Sequence, residues 1–211
     1  MEPSPAPEGR RERKKRETRE RILQVAQAQF NRHGFEATTV EAIAEQADIS
    51  KPTLFNYFPS KLSILQALLP EVDERFAEVI EATAQTSAVT GKRLEAFFNY
   101  VASMTEATPH LTRSLMLQSL QVYGSTEPSE GPSDLRRFPA TRNALQNLLE
   151  AGIQRGEVRS DARPEQLTEY VTGIYVHQFM TWLIDPNYPL HRELVAAATF
   201  LTAALRPAPP A

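Results

Sequence analysis

The chain has no cysteine among its 211 residues. Disulfides, thiolate catalysis and cysteine-ligated zinc are excluded, and a reducing, cytoplasmic setting is expected. Long apolar runs are also missing: the longest, Leu194 to Leu205, is interrupted by threonines and falls short of the ~20 residues that span a bilayer. The N-terminus is Pro-rich and then charged, unlike a signal peptide. No segment alternates as a strand does, no internal repeat recurs, and no glycine-rich phosphate loop or nucleophile elbow is present. The four histidines, His33, His110, His177 and His191, are scattered and form no ligand pair on a helix. We therefore expect no catalytic site, no metal site, no cofactor and no membrane partner.

What remains is an ordinary globular composition, 41% hydrophobic and 23% charged, sufficient for one sizeable core or two modest ones. The net charge of −3 conceals a split. Residues 1–61 carry 11 Lys and Arg against 9 Asp and Glu, whereas residues 62–211 carry 12 against 17. Between Gly9 and Arg21 alone there are eight basic and three acidic residues, a concentration suited to neutralising phosphate.

Residues 34–61, GFEATTVEAIAEQADISKPTLFNYFPSK, hold two short helical patterns around a tight corner, the signature of a helix-turn-helix. Thr38 precedes Glu41 by three as in a capping box, predicting a helix from Thr39 with Val40, Ile43, Ala44 and Ala47 on its inner stripe. Ile49 plugs the corner and Ser50 caps the next helix, with Pro52 in its first turn. That second helix, Lys51 to Tyr57, is expected to bury Leu54, Phe55 and Phe58 and to expose Lys51, Thr53, Asn56 and Tyr57, groups suited to a DNA major groove. Ser60 caps a further helix. Lys61 in its first turn is poorly placed for the helix dipole unless a phosphate is held there. Ahead of this motif, a helix from Thr18 to His33 places Ile22, Ala26 and Phe30 on one stripe, with Leu23 and Val25 beside it and Gly34 as its left-handed stop.

From Thr18 to Leu69 these residues resemble the TetR-type transcriptional regulators, through Phe30, Gly34, Thr38-Thr39-Val40, Ile43-Ala44, Ala47 and the run from Ser50 to Lys61. Two positions depart from that pattern: Phe55 where the family commonly has Tyr, and Asp48 where it commonly has Gly. The resemblance implies an all-α fold, with an N-terminal three-helix head followed by a helical ligand-binding and dimerisation body. It implies a double-stranded DNA operator as partner, with Thr53 and Asn56 on base edges and Thr39, Ser50, Lys51, Tyr57 and Lys61 on phosphates. The expected division is a disordered basic arm at 1–16, the DNA-binding domain at 17–61, the effector-binding and dimerisation domain at 62–206, and a disordered tail at 207–211. Residues 10–16 are read as a flexible arm or frayed helix, either a solvated tail or a minor-groove arm.

The body reads as helices throughout. Pro70 predicts a kink or break in the fourth helix, which is expected to bury Leu62, Leu65, Leu68, Leu69, Val72, Phe76, Val79 and Ile80. Residues 124–134 form a loop by composition. The helix over 164–184 is apolar on nearly every side and must be covered all round. Helix 190–205 carries the stripe Leu194, Ala198, Leu201 and Leu205. The family dimerises through its last two helices, which implies a homodimer with these four residues and Trp182 at its interface, and two heads about 34–36 Å apart on a palindromic site. The family's internal cavity implies a small, mostly apolar effector, with Phe97, Tyr100, Met104, Met116, Tyr123, Tyr175 and Phe179 as lining candidates. His177, the one histidine on that helix, either anchors a ligand or is a hydrogen-bonded core or interface residue. The resulting expectation is a ligand-released repressor. A regulator controlled by a protein partner, and a helical enzyme retaining a relic head, are the alternatives.

Overall fold

The computed structural model describes residues 9–85, 89–123, 138–185 and 187–207, the side chains of residues 85 and 120–123 excepted. The described residues are helical, without a strand, and divide into two compact units, residues 1–68 and 69–211. The fold is all-α. The expected loop at 124–134 lies outside the described residues.

The first unit comprises α1 (Arg10–Ala37), α2 (Val40–Gln46), α3 (Lys51–Tyr57) and the opening turns of α4 (Lys61–Ala82). Helix α1 starts at Arg10, ahead of the expected Thr18, because Arg, Lys and Glu are strong helix formers. The i,i+4 pairs Arg13–Glu17 and Arg16–Glu20, each at 3.5 Å, support those turns. The basic residues 10–16 are thus helical rather than an unstructured arm. Gly34 interrupts α1 with φ 79° and ψ 163°, a conformation that essentially only glycine adopts without strain. The chain then doubles back so that Phe35 packs on Phe30, ring centroids 5.3 Å apart. Ile22, Leu23, Ala26, Phe30, Ile43, Ala47 and Leu54 have at most 1% of their surface exposed and form the core of this unit.

Helix α4 runs through Pro70 without the expected break. Pro70 is exposed, so the Gln66 carbonyl that loses its partner can turn to water. Within α4, Ile64 is buried and Leu62 is 38% exposed, which reverses the expectation for Leu62.

The second unit comprises the rest of α4, a 3-10 turn at Thr83–Gln85, α5 (Thr90–Ala107), α6 (Pro109–Tyr123), α7 (Pro139–Gln154), α8 (Pro164–Ile184) and α9 (Leu190–Ala204). Helix α5 is its central element, burying Leu94, Phe97, Phe98, Val101 and Ala102. Edge-to-face rings link Phe76, Phe97, Phe98, Tyr175, Phe179 and Trp182 in sequence, centroids 5.8–6.4 Å apart. Helices α5 and α9 approach closely at Gly91, where a Cβ would stand 2.4 Å from Thr202 Cγ2.

Two carboxylates fasten helix starts in this unit. Asp73, 4% exposed, accepts from the amides of Ala140 (2.9 Å) and Thr141 (2.8 Å) and so caps α7 from α4. Glu157 accepts from the amide (2.8 Å) and hydroxyl (2.6 Å) of Thr90 at the start of α5. The hydrogen bond from Arg155, followed by those from Thr90, holds the Glu157 carboxyl down at about 2.

Candidate nucleic-acid interface and effector cavity

The corner between α2 and α3 is built from local hydrogen bonds. The cap of α2 is Thr39 rather than Thr38: its hydroxyl accepts from the Ala42 amide at 3.2 Å. Thr38 is buried, with its hydroxyl donating to the carbonyls of Gly34 (2.7 Å) and Gln29 (3.2 Å), so it seals the end of α1. Helix α2 closes with the Asp48 amide donating to Glu45 (3.1 Å) and the Ile49 amide to Ala44 (3.0 Å), the pattern of a Schellman motif. That motif needs a left-handed residue, and Asp48 supplies it at φ 51°, in the place where glycine would be easiest. Ser50 then caps α3, accepting from the Thr53 amide at 3.2 Å. Ser60 and Ser63 cap α4 reciprocally, each hydroxyl accepting the other's amide at 3.1 Å.

These caps leave α3 with one anchored face. Leu54 and Phe58 are buried, and Arg19 of α1 lies over the Phe58 ring at 5.3 Å. Lys51, Pro52, Phe55 and Asn56 are exposed, and Thr53 and Tyr57 half-buried. Phe55, expected inside, is 39% exposed, with the Lys51 ammonium 5.8 Å from its ring centre. Lys51 also pairs with Glu41 of α2 and holds that carboxyl below its ordinary value by hydrogen bonding. The Thr53 hydroxyl shares a 2.7 Å hydrogen bond with Ser50. Thr39 and Ser50 are likewise exposed beside α3.

Lys61 requires a correction. Its ammonium donates to the carbonyls of Phe35 (2.6 Å), Glu36 (3.2 Å) and Thr38 (2.8 Å) and lies 4.4 Å from the Phe35 ring centre. All three N–H groups are occupied at the negative end of α1, which explains a cation in the first turn of α4 without any phosphate. The sequence offered no signal for this contact because the partners lie 23 to 26 residues away.

In the body, Met104, Met116, Tyr175 and Phe179 converge on an almost wholly apolar cavity of about 40 Å³, together with Phe76 and Leu115. Phe97 lies in the core behind Phe76, and Tyr100 packs edge-on against Phe76 at 6.3 Å. His177 is exposed and so does not reach this cavity. The Tyr123 side chain lies outside the described residues. Thr105 and Thr112, which the sequence reading missed, add hydroxyls to the wall.

The expected dimer residues are also corrected. Leu194, Ala198, Leu201 and Leu205 are at most 7% exposed and so serve the chain's own interior, whereas Trp182 is half-buried against the same core. The apolar groups left outside on α8 and α9 are Tyr170 (56% exposed), Ile184 (80%) and Phe200 (64%). Helix α8 is therefore uncovered along one face. Among the described residues, no cluster of three or more His, Asp or Glu is placed to hold a metal, and no helix is long and apolar enough to cross a membrane.

A three-helix head with a capped helix-turn-helix, followed by a helical body, is the architecture of a DNA-binding regulator. The family model for bacterial regulatory proteins of the tetR family matches residues 22–68. The HTH-type transcriptional repressor KstR of Mycobacterium tuberculosis is 31% identical over 168 residues, spanning 80% of this chain and 72% of that protein. The chain belongs to the TetR family of transcriptional regulators. Two solved structures share the fold. Thermus thermophilus FadR, in complex with lauroyl-CoA, aligns with TM-score 0.68 and 23% identity over 92% of this chain and 98% of that one. Bacillus subtilis FadR, in complex with stearoyl-CoA, aligns with TM-score 0.68 and 21% identity over 89% and 99%. Membership places the chain among DNA-binding regulators and not among enzymes.

Proposed function

We propose that this regulator is a homodimeric repressor that binds a palindromic operator and is released by a small, mostly apolar effector. The observation that carries the DNA reading is the wet face of α3, where Asn56 is exposed beside Thr53 while Leu54 and Phe58 are anchored below. Thr53 and Asn56 read base edges; Thr39, Ser50, Lys51 and Tyr57 position the helix on phosphates. Residues 17–61 carry this role, and residues 62–206 carry effector binding and dimerisation. In the dimer, α8 and α9 of two copies pair through Tyr170, Ile184 and Phe200. Tyr170 and Phe200 line a surface groove of about 580 Å³ that also includes Gly173 and Ile174. Repression follows the relative named as a repressor; the apolar character of the effector follows the lining of the cavity, and the fatty-acyl chains of the lauroyl-CoA and stearoyl-CoA bound by the two FadR proteins are of that character. Effector binding favours a state in which both half-sites are no longer engaged, so that affinity for DNA falls by linkage.

A second reading, control by a protein partner, is favoured by the size of the cavity, about 40 Å³ against the ~300 Å³ or more of typical ligand pockets. Two methionines in the wall, Met104 and Met116, give a small-molecule site room to open. The test is fluorescence anisotropy on the DNA upstream of the chain's own gene across a salt series, with T53A/N56A beside the wild type. We expect two protomers per site and a sequence preference that the double variant loses, by about tenfold or more per base contact removed. Equal preference in both proteins would place the reading elsewhere.

A further inference from the structure

Hydroxyls on the body helices mostly settle on their own backbone. Thr105 donates to the carbonyl of Val101, Thr168 to Pro164 and Thr181 to His177, each four residues back. Ser119 on α6 and Thr172 on α8 do not. Among the described residues, neither Ser119 Oγ nor Thr172 Oγ1 has a hydrogen-bond partner, although both atoms are sealed from solvent and Ser119 is only 4% exposed. A buried hydroxyl left this way forgoes the hydrogen bond that water would supply, so each asks for a physical reason.

Their position supplies one. On α6, Thr112, Leu115 and Met116 line the cavity, and Ser119 is the next residue on that stripe. On α8, Tyr175 and Phe179 line it, and Thr172 continues that stripe in the other direction. The two helices run antiparallel at this place, because Arg113 near the start of α6 donates to the carbonyl of Leu183 near the end of α8 at 2.8 Å. Ser119 and Thr172 therefore fall toward the same end of the cavity. Among the described residues, no Lys, Arg, His, Asp or Glu lines the cavity. A charged ligand group there would be desolvated without a counter-ion, whereas a carbonyl oxygen has two lone pairs for two hydroxyl donors.

Building on the effector reading above, we infer that the effector carries an uncharged carbonyl group, as in an ester, thioester, lactone or amide, whose oxygen is held by Ser119 and Thr172 while its apolar body fills the Met104–Met116 end. In the effector-free protein the two hydroxyls wait unpaired. The experiment uses the full chain, with N-phenyl-1-naphthylamine as a displaceable dye and methyl decanoate, sodium decanoate and decane as probes. Two hydrogen bonds predict that methyl decanoate binds about tenfold tighter than decane or decanoate. In S119A/T172V that advantage should vanish while decane binds as before. Without ligand, the double variant should melt about 2–4 °C higher per hydroxyl removed. Decanoate binding tightest, an ester advantage that survives the double substitution, or a lower melting temperature without ligand would each overturn the inference. Failure of all three probes to bind would overturn the effector reading itself, and this inference with it.

Discussion

The head and the body are held by hydrogen bonds of different reach. In the head, Thr39–Ala42, Ser50–Thr53 and Ser60–Ser63 each close over three residues, and the longest side-chain hydrogen bond described, from Lys61 to Phe35, spans 26. In the body, Asp73–Thr141 spans 68 residues, Thr90–Glu157 67, Arg113–Leu183 70 and Gly91–Thr202 111. A head of local caps presents one short helix in a fixed attitude with few long-range dependencies. A body of distant ties places side chains from four helices around one cavity, and any substitution there is felt by elements far away in sequence. Recognition of a constant ligand, DNA, suits the first construction, and the proposed binding of an effector suits the second.

The largest effect should come from the uncovered face of the body. Phe200→Glu puts a charge into the proposed pairing surface without touching the core, and sedimentation should show monomers. Affinity for a two-half-site operator should then drop on the order of a hundredfold or more, since the second head no longer binds as part of the same molecule. A dimer that persists would relocate the interface. Next comes the capping of α7 by α4: Asp73→Ala strands two amides of a buried helix start and should cost about 2–3 kcal/mol in urea unfolding, against about 1 kcal/mol for Ser60→Ala in the head. Equal losses would erase the contrast between local and distant ties.

Glu157 extends the same contrast to pH. Its folded value of about 2 lies below the ordinary 4.5, so its contribution is fully present above pH 4.5 and is lost as pH falls toward 2. Partial exposure reduces the effect to about 1–2 kcal/mol. Urea midpoints of the wild type at pH 7 and pH 3 should therefore differ more than those of Glu157→Gln, and identical differences would remove Glu157 from the account. The smallest effect concerns Lys61→Met, which should lower stability by about 1 kcal/mol through loss of the α1 cap. The slope of DNA affinity against salt should not change; a slope shallower by about one would mean that this ammonium reaches phosphate after all.

The head was readable because its determinants are neighbours in the chain. Ser50 and Ser60 announce caps within three residues, Gly34 announces a left-handed stop, and Leu54 and Phe58 announce the buried side of α3. Two adjacent residues with the same chemistry leave the cap undecided, as with Thr38 and Thr39: both hydroxyls can cap, and only the turn after Gly34 decides that Thr38 faces the carbonyls of α1. At Phe55 an aromatic ring predicts an anchor, but the ring lies outside with Lys51 above it. In the body, helix positions followed from periodicity, but the partner of each helix face did not. The stripe Leu194, Ala198, Leu201 and Leu205 was correctly apolar and wrongly placed, since a pattern states that a face is covered and not by what.

By itself, the sequence determined the helical class and the helix-turn-helix, because caps, turn residues and a 3.6-residue period act over one or two turns of chain; the family followed from the resemblance of residues Thr18 to Leu69. Only tertiary structure decided that α9 turns its apolar stripe into its own core, that Lys61 serves the end of α1, and that the buried hydroxyls of Ser119 and Thr172 find no partner among the described residues. Each of these depends on which groups meet across 20 to 110 residues of chain. Such meetings are settled by the joint packing of whole helices, and no local pattern records them.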